Sequence, residues 1–339
     1  MIDFVLPWVD GSDVIWQKKK EEYSSVKSSE NSSSRFRDME TLRYVLRSIE
    51  QSCPWYNKIY LITEGHYPKW LNINHEKIVL ITHDELYFDK THLPVFSSSS
   101  IEMNLVNIKG LSEKFVYLND DTIIMKKLNK KRFFVDNKPV DFLSHGWIPR
   151  NKLFGKLRRM DAWVHSINNN LKLINNKFSP LSLDKSSLYH SSYEVKTKIS
   201  NFLLEHIYGK FIWLEHWHHP IPYLKSTLKE VHEEFKEEMM TCSSNRFRKN
   251  NDLTQYLYRY WQLASGNFYS YQHNDDLIAN ITSIEILENM IEEIEENSNI
   301  NFVCFNDDLN LSDLEFIKVK EKLNFFLEEC FPSKSSFEE

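Results

Sequence analysis

The sequence predicts an α/β fold in which a mainly parallel sheet is wrapped by helices and extended by a helical part. Strand-like and helix-like patterns alternate through roughly the first 145 residues, and from about Arg150 the chain turns to helices and aromatic-rich connectors. A length of 339 residues suits one large α/β domain with a helical insertion, or two smaller cores.

Residues 2–6 (IDFVL) open the chain as a strand. Residues 18–34, with KKKEE and many serines, read as a polar surface loop. A helix over 38–51 sets Leu42, Leu46 and Ile49 on one face, with Asp38 as its N-cap. Residues 58–63 and 77–82 (KIYLIT, KIVLIT) and 115–118 (FVYL) are strands, and 98–108 is a helix. After an insertion carrying Asn and Ser runs, residues 221–240 are expected as a helix. Pro222 falls in its first turn, and Leu224, Leu228, Val231, Phe235 and Met239 recur at helical spacing. Further helices start near Asp252 and after Asp313, and IEEIEEN is a solvated helix end before a last strand. The expected division is 1–145 as an α/β core, 146–215 as a helical insertion and 216–339 as the part that completes the site.

Composition removes several function classes. A net charge of -6 argues against a general nucleic-acid binder. The basic clusters around Lys126–Arg132 and Lys156–Arg159 read as solvated faces, with anionic lipid or phosphate as the alternative. Four cysteines without CxxC spacing indicate neither a zinc site nor a disulfide framework. No cleaved leader and no run of 18 apolar residues is recognisable, so the cytoplasm is the expected location, with docking at a membrane surface allowed. The seven glycines form neither GxGxxG nor a P-loop, so a bound phosphate must rely on metal, arginine and helix N-termini.

The chemistry concentrates where apolar runs break into acids. FVYLNDD, residues 115–121, looks like a buried strand ending in Asn119, Asp120 and Asp121. Adjacent carboxylates at a strand's C-terminal edge are costly unless a cation neutralises them, and Mg²⁺ takes carboxylate and phosphate oxygens together. The alternative is an Asx-rich turn. A second copy, FVCFNDD over 302–308, could bring Asp307 or Asp308 to the same metal.

PWVDGSD, residues 7–13, suits nucleotide recognition at a strand end, with Trp8 beside a base and Asp10 accepting a hydrogen bond before Gly11; a hairpin-like turn is equally compatible. Arg35, Arg37, Arg43 and Arg47 follow, and guanidinium forks bind phosphate, although solvated helix arginines are common. EHWHHPIPYLK, residues 215–225, crowds three histidines where one could serve as a general base, and NRFRKNND places Arg248 where it could stabilise a phosphoryl group.

Taken together, IDFVLPWVDGSD, the long block RFRDMETLRYVLRSIEQSCPWYNKIYLITEGHYPKWL, LPVFSSSSIEMNLVNIKGLSEKFVYLNDD and HHPIPYLK resemble the Stealth family of sugar-phosphate transferases. The resemblance implies a Rossmann-like, GT-A-like sheet and transfer of hexose 1-phosphate from a UDP-sugar to a glycan or lipid-linked oligosaccharide hydroxyl. It also implies Mg²⁺ (or Mn²⁺) and release of UMP. By position, Asp120 and Asp121 would hold the metal, with Asp307 a further candidate. Glu102 would support the site, Arg47 would steady the nucleotide side, and His218 and Arg248 would serve the chemistry. His218 is preferred to His219 because it stands two before Pro220. Two departures from the family pattern stand out: Val106 replaces a frequent histidine, and residues 122–127 lack the usual aromatic and proline.

Overall fold

The computed structural model describes residues 1–24, 37–146, 162–216, 219–307 and 311–339; of Asp307 it describes the backbone. In chain order these form β1 (Ile2–Pro7), α1 (Val14–Tyr23), α2 (Leu42–Ser52), β2 (Ile59–Thr63), β3 (Ile78–Thr82), α3 (His83–Leu86), α4 (Ser98–Glu102), β4 (Lys114–Tyr117), β5 (Thr122–Ile124), β6 (Phe134–Val135) and β7 (Lys138–Asp141). There follow α5 (Ala162–Lys177), α6 (Lys185–Leu188), α7 (Val195–Leu203), β8 (Ile221–Leu224), α8 (Lys225–Glu234), α9 (Lys236–Ser243), α10 (Tyr256–Ala264), β9 (Tyr269–Ser270), β10 (Asp276–Ile281), α11 (Ile284–Glu296), β11 (Phe302–Asp307) and α12 (Asp313–Cys330).

The central sheet runs β3-β2-β1-β4-β8. Its first four strands are mutually parallel and β8 is antiparallel to β4. The α/β, mainly parallel expectation is therefore correct, and the strand order is that of a Rossmann half-fold. β1 and β2 are buried almost end to end, and apolar apart from Asp3 and Thr63, because both faces of the sheet are covered. Val5, Phe115 and Tyr117 pack with α5, α8 and α10 on one face, while Phe4, Leu6 and Val116 pack with α2, α11 and α12 on the other. Buried Asp3 locks the base of the sheet: its carboxylate accepts from Asn57 Nδ2 at 2.7 Å, Lys58 N at 3.2 Å and Ser112 N at 2.7 Å.

A second sheet, β10-β11-β5, ties residues 122–124 to 276–307. Residues before 146 and after 216 thus share both sheets. Residues 162–216 supply Ile167, Leu171, Ile174 and Phe211 to the core that also holds Leu257 and Tyr260 of α10.

Several local expectations need correction. Residues 18–23 belong to a helix, capped by Asp13 accepting from Trp16 N at 2.7 Å, not to a loop; residues 25–34 lie outside the described set. Asp38 is not the cap of α2: Thr41 occupies that position, and Asp38 accepts from Glu40 N at 2.6 Å in a turn where Glu40 takes φ 61°. The helix expected over 98–108 stops at Glu102. Residues 221–224 form a strand instead of opening a helix, because Ile221 and Tyr223 pair with Tyr117 and Phe115 at the sheet margin, where Pro222 is tolerated. The helical spacing begins to apply only from Lys225. The helix expected near Asp252 starts at Tyr256.

Candidate active site

A cleft of about 570 Å³ opens where β1 and β4 end. Its wall takes Trp8 just after β1, Asn119, Asp120 and Asp121 just after β4, Arg37, Asp38 and Thr41 from the turn before α2, and Ser97, Ser98, Ser99, Ile101 and Glu102 at α4. Phe305 and Asn306 of β11, Trp163 of α5, Arg248, and Gln255 and Tyr256 at the start of α10 also line it. The carboxyl edge of a parallel sheet gathers loops from successive strands, which is why ligands settle there.

The acids define one region. Burial, then the neighbouring charges of Asp121 and Asp38, push the Asp120 carboxyl well above the usual range. Burial also raises Asp38. The backbone around them is fixed: Thr41 Oγ1 donates to Asp120 O at 2.6 Å, and Phe305 N donates to Asp121 O at 3.0 Å. Among the described residues neither Asp120 nor Asp121 makes an ion pair, and no three His, Cys, Asp or Glu side chains form a ready-made cage. Crowded, desolvated oxygen donors without a basic partner fit a hard divalent cation that takes its remaining ligands from phosphate and water.

Glu102 and Arg248 define a second region. Glu102 is 9% exposed, and burial pushes its carboxyl up to about 7 against the pull of the Gln255 N–H and the Arg248 charge. Its Oε2 accepts from Gln255 N at 2.7 Å and its Oε1 from Tyr117 OH at 3.3 Å. Arg248 is delivered by a braced loop. Arg246 donates to Thr91 O at 2.9 Å and Leu93 O at 3.1 Å, while Phe247 stacks on Phe96 with ring centroids 5.1 Å apart. Asp252 closes the loop by accepting from Lys249 N at 2.9 Å and Asn245 Nδ2 at 2.7 Å. Arg248 Nη2 then reaches Ser98 Oγ at 3.1 Å on the cleft wall.

The structure therefore gathers Trp8, Glu102, Asn119, Asp120, Asp121 and Arg248. Others go elsewhere. Asp10 Oδ1 accepts from Ser12 N and Oγ at 2.8 and 2.6 Å, and Gly11 O accepts from Gln17 Nε2, so both serve the turn into α1 and neither lines the cleft. Arg47 does not line the cleft: it is 3% exposed and held by Glu338 at 2.7 and 2.9 Å, Glu328 at 2.9 Å and Phe331 O at 2.6 Å. Arg43 lies over the Trp70 ring, 3.8 Å from Glu338, and does not line the cleft. Arg35, His218 and the side chain of Asp307 lie outside the described residues.

Asp38, His83 and Ser97 are cleft residues that the sequence did not single out for chemistry. For Asp38 the signal was present, an acid inside the RFRDME block, but the helical periodicity behind it suggested a cap.

Family models for Stealth protein conserved regions 1, 2 and 3 match residues 2–25, 35–141 and 217–262. The capsular polysaccharide phosphotransferase WcwK of Streptococcus pneumoniae is 35% identical, over 99% of this chain and 98% of that one. The chain belongs to the Stealth family. Two further relatives of this Stealth protein match over 99% of its length. They are the receptor polysaccharide phosphotransferase WefC of Streptococcus gordonii, 34% identical over 98% of its own chain, and the exopolysaccharide phosphotransferase cps2G of Lactiplantibacillus plantarum, 32% identical over 96%. Among solved structures, the galactosyltransferase LgtC in complex with donor and acceptor sugar analogs aligns over 98% of both chains with a TM-score of 0.37 and 8% identity, too loose a likeness to bear on chemistry. The cleft residues Asp38, Glu102, Asp120 and Asp121 fall inside conserved region 2, and Arg248 inside conserved region 3.

Proposed function

We propose that this Stealth protein is a sugar-phosphate transferase of surface-polysaccharide synthesis. In this reading it moves hexose 1-phosphate from a UDP-sugar to a hydroxyl of a glycan or lipid-linked oligosaccharide and releases UMP. The observation that carries the reading is the joining, in one cleft, of an acidic group (Asp38, Asp120, Asp121) with an arginine held on a braced loop beside a buried carboxyl (Arg248, Glu102). The names of the curated relatives support the same class.

The acceptor oxygen attacks the β-phosphorus, and the bond from that phosphorus to the bridging oxygen breaks. The C1–O bond of the sugar survives, so anomeric configuration is kept. Asp120 and Asp121 would hold Mg²⁺ (or Mn²⁺), with Asp38 beside them. When bound, such a cation neutralises charge on the diphosphate. Arg248 offers a fixed guanidinium to the equatorial oxygens. Glu102, Tyr117 and Gln255 fix the wall on which Arg248 rests. His218, assigned from sequence, is the proposed base for the acceptor proton. The cytoplasm, at the inner face of the cell membrane where an acceptor is lipid-linked, is the proposed place of action; no helix among the described residues is long and apolar enough to cross a membrane.

Incubation with UDP-hexoses, Mg²⁺ and a glycan acceptor, followed by mass and ³¹P analysis, tests the reaction. UMP with a phosphodiester product is expected. Release of UDP with a phosphate-free glycoside would make the protein a conventional glycosyltransferase.

A further inference from the structure

The helix α7 and the turn of π-helix that continues it, Leu204–Tyr208, are turned inside out for a surface element. Their outward side is apolar: Val195, Ile199, Phe202 and Ile207 are 73%, 45%, 52% and 67% exposed. The first three recur at i, i+4 and i+7, on one helix face. The wider π-turn then brings Ile207 round to the side of Phe202, and the His206 ring lies against that of Phe202 with centroids 4.3 Å apart. Leu181, on the neighbouring turn Pro180–Ser182, is exposed as well.

The inward side of α7 carries Thr197, Ser200 and Asn201, all buried. Asn201 Nδ2 donates to Leu143 O and Leu188 O, each at 2.8 Å, and its Oδ1 accepts from His145 N at 3.2 Å. These bonds fix which side of the helix meets the protein, so the apolar side is held outward. Single exposed apolar residues are ordinary, whereas a continuous row of them marks a contact surface.

We propose that this face seats the protein on an anionic lipid surface. The inference rests on the proposed place of action at a membrane and adds to it the residues that touch the lipid. The chain carries a net charge of -6, so attraction to anionic lipid has to be local. At about 100° per residue, Lys196 and Lys198 border the apolar row on opposite sides, and Lys210 follows the Gly209 that ends the turn. The nearest acids are engaged: Glu194 accepts from Asn274 Nδ2 at 2.6 Å, and Glu205 accepts from Tyr189 OH at 2.7 Å and pairs with Lys185. Bulky apolar side chains bordered by lysines are the make-up of a helix lying among headgroups, where the ammonium groups meet phosphate and the stems stay with the acyl chains. Two copies joined through this face would instead set the same lysine borders against each other.

The face is also tied to the cleft. Asn201 holds His145, His145 bridges to Leu214, and the adjoining Trp213 packs edge-on against Trp163 of the cleft wall, with ring centroids 5.8 Å apart. Seating through α7 therefore holds the cleft beside the surface in which a lipid-linked acceptor resides.

Co-sedimentation of the full chain with phosphatidylglycerol–phosphatidylcholine vesicles, against phosphatidylcholine alone, tests the surface. The wild type is expected to bind the anionic vesicles at least tenfold more tightly, and raised salt should weaken that binding. Phe202→Ser and Ile199→Ser should each weaken it about tenfold, with melting temperature and turnover of a water-soluble acceptor unchanged. Lys196→Glu should lower binding to the anionic vesicles alone, and keeps the test alive if an apolar substitution disturbs the fold. A wild type that ignores vesicles, or binding indifferent to Phe202→Ser and Lys196→Glu, overturns the proposal. A dimer in sedimentation velocity that Phe202→Ser dissociates also overturns it and gives the face to a second copy. None of these outcomes touches the proposed reaction: release of UDP in place of UMP would overturn that reading while leaving vesicle binding as it stands.

Discussion

The backbone N–H of Phe305 donates to the carbonyl of Asp121 at 3.0 Å, joining the two Asn-Asp-Asp junctions across one ladder. β5, which follows the first junction, pairs with β11, which runs into the second, in the register Cys304 to Thr122. A pattern repeated almost 190 residues apart thus converges on one cleft, and Asn306 joins Asn119 on its wall. The acids there are held close by backbone bonds that do not depend on a cation, so their repulsion is built into the fold.

That repulsion predicts the behaviour of Asp120→Asn. The carboxyl of Asp120 is raised by burial and by Asp121 and Asp38. A carboxyl with a raised folded-state value favours folding while protonated, and this contribution is lost as pH rises toward that value. At neutral pH, removing the charge should therefore raise the melting temperature by a few degrees without added metal. The gain given by Mg²⁺ to the wild type should shrink or vanish in the variant, and transfer activity should be lost. Scanning fluorimetry with and without Mg²⁺ checks it; an identical Mg²⁺ response in both proteins would exclude Asp120 from cation binding.

Glu102 gives a second dependence, with a defined window. Its carboxyl sits at about 7 when folded against an ordinary 4.5, chiefly through burial. The folded state therefore holds a proton that the unfolded state has released, and stability falls as pH rises from about 4.5 to about 7. At about 1.4 kcal/mol per unit the full effect is on the order of 3 kcal/mol. Glu102→Gln should flatten this slope in urea unfolding measured across that range. A slope equal to that of the wild type would assign the pH dependence to other groups.

How far the sequence could foresee the fold depended on whether the deciding partner was local. The parallel strands were legible because IYLIT and IVLIT are apolar runs of strand length. Residues 221–224 were not, because Leu224, Leu228 and Val231 continue a helical spacing through the junction, and pairing with β4, more than 100 positions earlier, decides the matter. Asp120, Asp121, Glu102 and Arg248 could be placed by motif, and the cleft gathers them. Arg47 could not, since its partner Glu338 is 291 residues away. An arginine on an amphipathic helix looks the same whether it meets a phosphate or a carboxylate.

Arg47 and Arg248 should accordingly separate in mutants. The Arg47–Glu338 pair is nearly sealed from solvent, with side chains 4% and 2% exposed. Removing one partner of such a pair strands the other charge, and Arg47→Ala is expected to cost about 3–5 kcal/mol of stability. Donor affinity and kcat of the folded fraction should be retained. Arg248→Ala should do the reverse, keeping the melting temperature within a few degrees while kcat falls by about 10³ or more. Paired unfolding curves and initial rates distinguish the two, and a loss of donor binding in folded Arg47→Ala protein would return Arg47 to the site.

The reach of Arg248 depends in turn on Phe247, whose ring stacks on Phe96 at 5.1 Å with 22° between the planes. The neighbouring Arg246 fastens the same loop to Thr91 and Leu93, so the loop stays attached when the stack is removed. Phe247→Ala should therefore loosen the aim of the guanidinium without unfolding the chain. Such a positioning residue is expected to lower kcat about tenfold, the cost of a modest misplacement of a group that acts in the transition state, while donor Kd changes little. Phe247→Tyr preserves the ring and should restore the rate. If Phe247→Ala instead weakens donor binding with kcat intact, the aromatic pair shapes the pocket and does not aim the arginine.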